Sequence, residues 1–218
     1  MTPKPAIIFD CDGVLFDSCE ANVAYYNHLL AHFELPPLSL EDVPYVHMHT
    51  TERSIRRIFR NSPFLEAALD YRREVDYRPF IEKMAMERDL KEILRTLRPN
   101  FRLAVATNRT GSIHDVLDAF DLREFFSLVV SSLDVINPKP HPEPLLKILQ
   151  AFDLEPRMAA YVGDSAVDSE TAAAAGVPFV AYRNPSLATP WHAERLGVLP
   201  SLVQDLLPFS RTDLKNAL

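Results

Sequence analysis

The sequence predicts an α/β protein whose core is a Rossmann-like, doubly wound parallel sheet, with a helical cap domain inserted into it. Four short apolar runs are separated by stretches of helical periodicity, which is the order expected of parallel strands joined by helices. Polar residues follow directly after the runs, where open parallel sheets bind ligands. The stretch between the first run and the second is too long for a simple connection, so we expect it to fold as a separate helical unit.

The first apolar run, residues 6–9, ends at Asp10. Asp12 follows two positions later, and Gly13 permits a tight turn that would bring both carboxylates to one mouth of the sheet. Taken alone, this segment is more typical of a hydrogen-bonded turn after a strand than of a functional site. It does not fit an EF-hand calcium loop, which needs a third oxygen ligand before its glycine and a glutamate at its end.

The second run, residues 101–106, ends in Thr107 and Asn108, which offer a hydroxyl and an amide to a ligand. Gly111 and Ser112 then open a predicted helix with Ser112 as its N-cap. An anion beside Thr107 would meet the positive end of that helix. An ordinary capped loop is the alternative interpretation.

The third and fourth runs supply a lysine and two further aspartates. Residues 128–131 lead to Lys139, which stands between two prolines that stiffen its backbone. Residues 158–162 end at Gly163 and Asp164. An alanine-rich helix over residues 165–175 is predicted next, with Asp168 in its first turn and Gly176 as its C-terminal stop.

These motifs, in this order and each after a predicted strand, resemble the haloacid dehalogenase-like hydrolase superfamily over nearly the whole chain. The resemblance implies that Asp10 is a nucleophile that forms an aspartyl-phosphate and that Asp12 is a general acid and base. It also implies that Thr107, the backbone N–H of Asn108 and Lys139 hold the phosphoryl group.

The acidic side chains also predict a metal ion. Carboxylates that converge on one mouth repel each other by about 4 kcal/mol per close pair, and a hard divalent cation with oxygen ligands, Mg2+, would compensate. The resemblance implies that Asp10, the backbone carbonyl of Asp12 and Asp164 bind this ion. Asp168 either ligates it, acts through water or positions Lys139.

The predicted function is a Mg2+-dependent phosphatase of small phosphomonoesters, similar to phosphoglycolate-phosphatase-like members of the superfamily. The alternatives are a β-phosphoglucomutase-type phosphotransferase and a catalytically silent binding protein on the same fold. Asp12 disfavours a dehalogenase, since that branch does not have the acid/base carboxylate. A phosphonate-cleaving enzyme with a Schiff-base lysine is disfavoured because Lys83 is the only lysine of the predicted cap.

We expect residues 1–17 and 86–218 to form the core and residues 18–85 to form the cap. Ser62 and Pro63 are predicted to start one cap helix. The cap segment that should face the core site, residues 45–53, contains His47 and His49 where relatives commonly have a glycine, and we take His49 and Arg53 as candidate substrate-binding residues. A row of arginines on the following helix is typical of a solvated face.

Composition agrees with an enzyme of this kind. The 218 residues are 47% hydrophobic, and a formal net charge of −7 argues against nucleic acid as a partner. No window is apolar enough to span a membrane, and a strand begins too early for a signal peptide, so we expect a cytoplasmic protein. Cys11 and Cys19 are expected to be free thiols. A small phosphate ester is the predicted partner, and a monomer or a homodimer is expected.

Overall fold

The computed structural model describes residues 4–207, and its centre is a six-stranded sheet in which every neighbouring pair is parallel. The order of the strands is β5-β4-β1-β6-β7-β8. The strands are β1 (Ala6–Phe9), β4 (Arg102–Ala106), β5 (Leu128–Val130), β6 (Ala159–Gly163), β7 (Phe179–Tyr182) and β8 (His192–Ala193). The parallel, doubly wound core that the sequence predicts is therefore confirmed.

Both faces of β1 are buried, because helices cover the sheet on each side. Ile7 and Phe9 point into one hydrophobic cluster, whereas Ala6 and Ile8 point into a second one on the opposite face. The first cluster is closed by α6 (Leu90–Leu97), α7 (Ser112–Ala119) and α10 (Leu199–Leu206), and the second by α8 (Glu143–Phe152) and α9 (Ala166–Ala175). This explains why β1 is an unbroken apolar run rather than an alternating one.

The segment between β1 and β4 contains five helices that pack around a third cluster of their own. They are α1 (Cys19–His32), α2 (Val43–Met48), α3 (Thr51–Ile58), α4 (Leu65–Tyr71) and α5 (Arg78–Ile81). The chain enters this segment through β2 (Phe16–Asp17) and leaves it through β3 (Ala85–Met86), and these two strands pair antiparallel. The helices thus form a unit joined to the core by two adjacent strands.

Two predicted helix starts are wrong. Ser112 is the first residue of α7 rather than its N-cap, because Gly111 already has helical dihedral angles and takes the cap position. Helix α4 begins at Leu65 with Phe64 as its cap, and the Ser62 hydroxyl instead accepts a hydrogen bond from the Phe64 N–H in the preceding turn. Short turns before a helix have the same composition as caps, which is why sequence patterns confuse the two.

Other local predictions are confirmed. Helix α9 has Ser165 as its N-cap and ends at Gly176, whose φ of +69° is the left-handed conformation that glycine adopts without strain. Cys11 and Cys19 are free. Among residues 4–207, no helix has both the length and the apolar character needed to cross a membrane.

Candidate active site

The carboxyl ends of three central strands meet at one edge of the sheet and bring distant polar residues together. Phe9 pairs with Val105 on one side and with Val162 on the other, so the residues that follow these positions lie at the same level. The N–H of Asp10 donates to the carbonyl of Val162 at 2.9 Å, which continues the sheet register as far as the nucleophile candidate. The strand order therefore places Asp10 at the centre of the site.

Lys139 is buried in this site and contacts two of the aspartates. Its Nζ is 2.8 Å from Oδ1 of Asp10 and 2.7 Å from Oδ1 of Asp168, and its side chain is only 3% exposed. It also donates to the hydroxyl of Tyr161 at 2.9 Å, and that hydroxyl donates to Asp168 at 2.6 Å. The two carboxylates raise the pKa of Lys139 although burial opposes the rise, so the ammonium is charged.

The start of α9 orients Asp168. Its Oδ2 accepts hydrogen bonds from the hydroxyl and the N–H of Ser165, which completes a capping box at the helix N-terminus. Gly163 makes this approach feasible, because a Cβ there would lie 2.4 Å from the Cβ of Asp168. Protein groups thus engage both oxygens of Asp168. The structure brings this residue into contact with Lys139, and positioning Lys139 is one of the three roles that the sequence leaves open for Asp168.

Gly13, in the turn after β1, leaves space for the Asp164 side chain in a similar way. Gly13 has a φ of +79°, and a Cβ at this position would lie 2.0 Å from Oδ2 of Asp164. The glycine therefore admits a carboxylate against the backbone that follows Asp10. Only a residue without a side chain meets both requirements.

The acidic groups repel each other strongly. Burial raises the pKa of Asp10 well above its usual range, and the nearby Asp168 adds to the rise. Burial also raises the pKa of Asp164 to about 7, again with a contribution from Asp168. By contrast, Lys139 holds the pKa of Asp168 below its usual range although burial acts in the opposite direction.

The donor set fits a hard divalent cation. Asp10, Asp164 and Asp168 each offer a carboxylate oxygen, and these oxygens lie within 4.8 Å of one another. Lys139 is shared between Asp10 and Asp168, whereas Asp164 forms no ion pair within residues 4–207. The cluster has more negative than positive charge, and oxygen ligands of this type suit Mg2+ or a similar ion.

The Asp12 carboxylate is not part of this cluster. Its carboxylate forms an ion pair with Arg109, in which Nη2 lies 2.7 Å from Oδ1 and Nε lies 2.9 Å from Oδ2. The Ser18 hydroxyl donates to the same carboxylate. Although burial would raise it, Arg109 and His47 hold the pKa of Asp12 below its usual range.

The predicted anion-binding residues are buried between the sheet and the helical unit. Thr107 is 1% exposed, and its hydroxyl accepts the N–H of Arg109 at 3.1 Å. The Asn108 amide donates to the carbonyls of Met48 and Lys139 at 3.1 and 3.2 Å, so it links the helical unit to the core. Among the described residues its Oδ1 has no hydrogen-bond partner.

A cavity of about 440 Å³ lies beside Asp12, between the core and the helical unit. Both histidines of the predicted cap loop line it, and His49 stacks on Tyr45 with ring centroids 3.9 Å apart. Arg53 does not line this cavity but a neighbouring open groove, which it shares with Pro138 and Pro140. The structure thus brings His47 and His49 to the Asp12 cavity and separates Arg53 from it.

The other cationic residues of the helical unit are paired at its surface. Arg57 and Arg60 form ion pairs with Asp42, and Lys83 forms one with Glu20 at 2.8 Å. The pairing of Lys83 gives no support to a Schiff-base role for it.

Sequence reasoning assigned no site role to Arg109, Tyr161 and Ser165, which contact the site. Arg109 follows the Thr107–Asn108 pair directly, so a cation at the end of β4 was visible in the sequence. The position of Tyr161 within an apolar strand gave no such signal, because core tyrosines are common. Ser165 was visible as a helix cap, but not as a partner that fixes the orientation of Asp168.

Comparisons with known proteins agree with this geometry. The sequence model of the haloacid dehalogenase-like hydrolase family matches residues 7–182. The phosphoglycolate phosphatase of Salmonella choleraesuis (strain SC-B67) is 30% identical over 210 residues, which cover 80% of this chain and 79% of that protein. The phosphoglycolate phosphatase of Escherichia coli (strain K12) is 40% identical over 79 residues, which cover 36% of this chain and about a third, 31%, of that protein.

A solved structure shows the same fold. The HAD-superfamily hydrolase, subfamily IA, variant 1, from Geobacter sulfurreducens PCA superimposes with a TM-score of 0.75 at 41% sequence identity. The match covers 91% of this chain and 96% of that one.

Proposed function

The chain belongs to the haloacid dehalogenase-like hydrolase family, and on that premise we propose that it is a Mg2+-dependent phosphatase that hydrolyses small phosphomonoesters through an aspartyl-phosphate on Asp10. One observation carries the proposal. Asp10 lies 2.8 Å from the Lys139 ammonium at the edge of the sheet, while Asp12, two residues later, faces the cavity beside it. A nucleophile and a second carboxylate close to one phosphoryl position are suited to nucleophilic attack and to proton transfer to the leaving oxygen.

In the first step, an oxygen of Asp10 forms a bond to phosphorus while the bond from phosphorus to the leaving oxygen breaks. Asp12, which must be in its protonated form for this step, gives its proton to that oxygen, so an alcohol leaves and Asp12 becomes a carboxylate. The Lys139 ammonium, the Thr107 hydroxyl and the backbone N–H of Asn108 balance the negative charge on the phosphoryl oxygens. Thr107 and Asn108 begin the loop after β4, and their burial keeps the donors in place.

In the second step, water attacks the phosphorus of the aspartyl-phosphate. Asp12 accepts a proton from this water, the Asp10–phosphorus bond breaks, and inorganic phosphate leaves. Both residues are then restored to their initial protonation states.

Mg2+ would be held by Asp10, Asp164 and the backbone carbonyl of Asp12, with Asp168 close by, and when bound it neutralises the charge that develops on the transferred phosphoryl group. The clustered oxygens of Asp10, Asp164 and Asp168 and the raised pKa of Asp164 support this assignment. Asp168 acts in this scheme by holding Lys139 against Asp10.

We take residues 18–85 as a cap and residues 1–17 and 86–218 as the core. The separate hydrophobic cluster of α1–α5 and the two strands β2 and β3 that connect it to the sheet support this division. The substrate's leaving group would occupy the cavity between the two units, where His49 lies. Arg53 would meet a substrate only if the cap closes further over the neighbouring groove.

The test is release of inorganic phosphate from a panel of phosphomonoesters that includes p-nitrophenyl phosphate and phosphoglycolate, first in Mg2+ and then in excess chelator. We expect release in Mg2+, little release in chelator, and loss of release in Asp10→Asn. Asp17→Asn, an exposed aspartate on the entry strand β2, is the matched control and should keep its activity.

Other outcomes distinguish the alternatives. A phosphotransferase would pass the phosphoryl group between sugar phosphates and release little inorganic phosphate. A silent binding protein would show neither reaction, and Asp10→Asn would change nothing. Either result would contradict the proposed hydrolysis.

A further inference from the structure

Arg109 donates hydrogen bonds to both oxygens of Asp12, whose carboxylate lines the cavity. Its Nε donates to Oδ1 and Oδ2 at 3.0 and 2.9 Å, and its Nη2 donates to Oδ1 at 2.7 Å. The Ser18 hydroxyl also donates to Oδ1. In this arrangement Oδ1 accepts three hydrogen bonds and is not free for the leaving oxygen of a substrate, whereas Oδ2 accepts only one.

The guanidinium is held between the core and the cap. It lies over the ring of Tyr77, with its central carbon 5.0 Å from the ring centroid. The Tyr77 hydroxyl donates to Asn22 at 3.2 Å, and the Asn22 amide contacts Nδ1 of His47 at 3.1 Å. Arg109 is thus bounded by Asp12 on the core side and by an aromatic and polar chain on the cap side.

Arg109 differs from the other arginines of the cavity in its ion-pair partner and in its burial. Arg72 and Arg73 also line it, but they pair with Glu52 and Asp70 on the cap. Arg73 is 72% exposed, whereas the Arg109 side chain is 6% exposed. Arg109 is the arginine of this cavity that is both buried and bonded to the proposed acid/base.

A buried guanidinium needs a partner at every stage of the reaction. It does not deprotonate in proteins, and leaving it without a counter-ion costs several kcal/mol. When the leaving oxygen of a substrate bonds to one oxygen of Asp12, Arg109 loses part of its hydrogen bonding to that carboxylate. An anionic group elsewhere on the leaving group can replace that partner, whereas a neutral leaving group cannot.

We propose that Arg109 is the specificity-determining residue of this site: it restrains Asp12 before the substrate binds and then transfers to a second anionic group, a carboxylate or a phosphate, on the leaving group. This inference rests on the proposed phosphatase function and deepens it. The same exchange frees an oxygen of Asp12 for the leaving oxygen, so substrate choice and placement of the acid/base are coupled through one side chain.

The experiment compares three esters that share a two-carbon leaving group. Phosphoglycolate carries a carboxylate, ethylene glycol bisphosphate carries a second phosphate, and 2-hydroxyethyl phosphate is neutral beyond its ester. For the wild type we expect kcat/KM at least about 10-fold higher with the anionic leaving groups, since charge-assisted bidentate hydrogen bonds are stronger than neutral ones. The preferred anionic ester of the two identifies which anion Arg109 binds.

In Arg109→Gln this preference, the ratio of kcat/KM for an anionic ester to kcat/KM for 2-hydroxyethyl phosphate, should fall by about 10- to 100-fold, mainly through a higher KM for the anionic esters. Arg109→Lys should keep part of the preference, because it retains the charge but not the planar fork. Arg157→Gln makes the same change of charge at an exposed position of the core and should leave all three esters unchanged.

Specific results would overturn this inference. An equal loss with all three esters in Arg109→Gln would show that Arg109 acts only on Asp12 or on the fold. A wild type without preference would also overturn it, and the phosphatase assignment would stand in both cases. If Arg109→Gln does not fold, Arg109→Lys decides, since an undiminished preference there contradicts bidentate recognition. No release by the wild type from any ester, p-nitrophenyl phosphate included, would overturn the proposed function as well.

Discussion

Lys139 and Asp168 form a fully buried ion pair, with Nζ of the lysine 2.7 Å from Oδ1 of the aspartate and side-chain exposures of 3% and 0%. The aspartate is fixed by the first turn of α9, and the lysine follows a loop after β5. The pair therefore links the loop between β5 and α8 to the first turn of α9, next to Asp10. Removal of the lysine charge leaves Asp168 buried without its cation, whereas removal of the Asp168 charge leaves Lys139 paired with Asp10 alone.

Lys139→Met should lower kcat by about 10²–10³-fold, because a positive charge next to the phosphoryl position is lost from a site that excludes water. Asp10 and Asp168 would then face each other without a shared cation, so the melting temperature should also fall. Steady-state kinetics and thermal unfolding measure the two effects. Lys147→Met, at an exposed lysine of α8, is the matched control, and wild-type kcat in Lys139→Met would rule out a catalytic contribution of the ammonium.

Asp164→Asn should weaken Mg2+ binding and abolish most of the thermal stabilisation by the ion. At a concentration 100 times the dissociation constant, a ligand stabilises the folded state by about 2.7 kcal/mol, which is about 5–10 °C for a chain of this size. Without metal, the variant should be at least as stable as the wild type, since a repelled carboxylate has become neutral. Differential scanning fluorimetry with and without Mg2+ measures both, and equal Mg2+ shifts in variant and wild type would remove Asp164 from the metal site.

The stabilisation by Mg2+ should grow as the pH rises from 5 to 8. The pKa of Asp164 is about 7 in the folded chain against an ordinary value of 3.8. Between these values the folded state holds more protons than the unfolded state, so this residue makes metal-free stability fall as the pH rises. A bound cation favours the ionised carboxylate and opposes that fall.

Melting temperatures at several pH values, with Mg2+ and with chelator, measure this dependence. The Asp164→Asn variant separates its contribution from those of other groups, since its metal-free curve should be flatter across the same window. A Mg2+ shift of the same size at pH 5 and pH 8 would contradict the assignment.

Gly13→Ala should destabilise the protein and impair Mg2+ binding together. A left-handed conformation costs a residue with a side chain about 1–2 kcal/mol, and the new Cβ would lie 2.0 Å from the Asp164 carboxylate. That carboxylate must then move away from Asp10. Gly197→Ala is the matched control, because a Cβ there meets no atom within 4 Å. Thermal unfolding and Mg2+ titration of both variants test this, and unchanged Mg2+ affinity in Gly13→Ala would contradict the close approach.

Local patterns account for most of the fold and for part of the site. The predicted ends of β1 and β4 and the limits of α9 agree with the structure to within a residue, because burial on both sides of a strand and capping at a helix are properties of neighbouring residues. Leu90, Ile93, Leu94 and Leu97 are buried on α6 as their spacing indicates. The start of α4 was misplaced by two residues, since Ser62 and Pro63 also suit an ordinary turn.

Short-range periodicity, with the rule that parallel strands share one functional edge, is enough to predict the parallel sheet, the helical insertion and the positions of Asp10, Thr107 and Asp164 at strand ends. Which charged groups meet depends on tertiary packing. Arg109 reaches Asp12 across 97 positions of the chain, and Asn108 reaches Met48 across 60. Such contacts depend on how the cap packs on the core and on side-chain directions set by that packing, which no local pattern encodes.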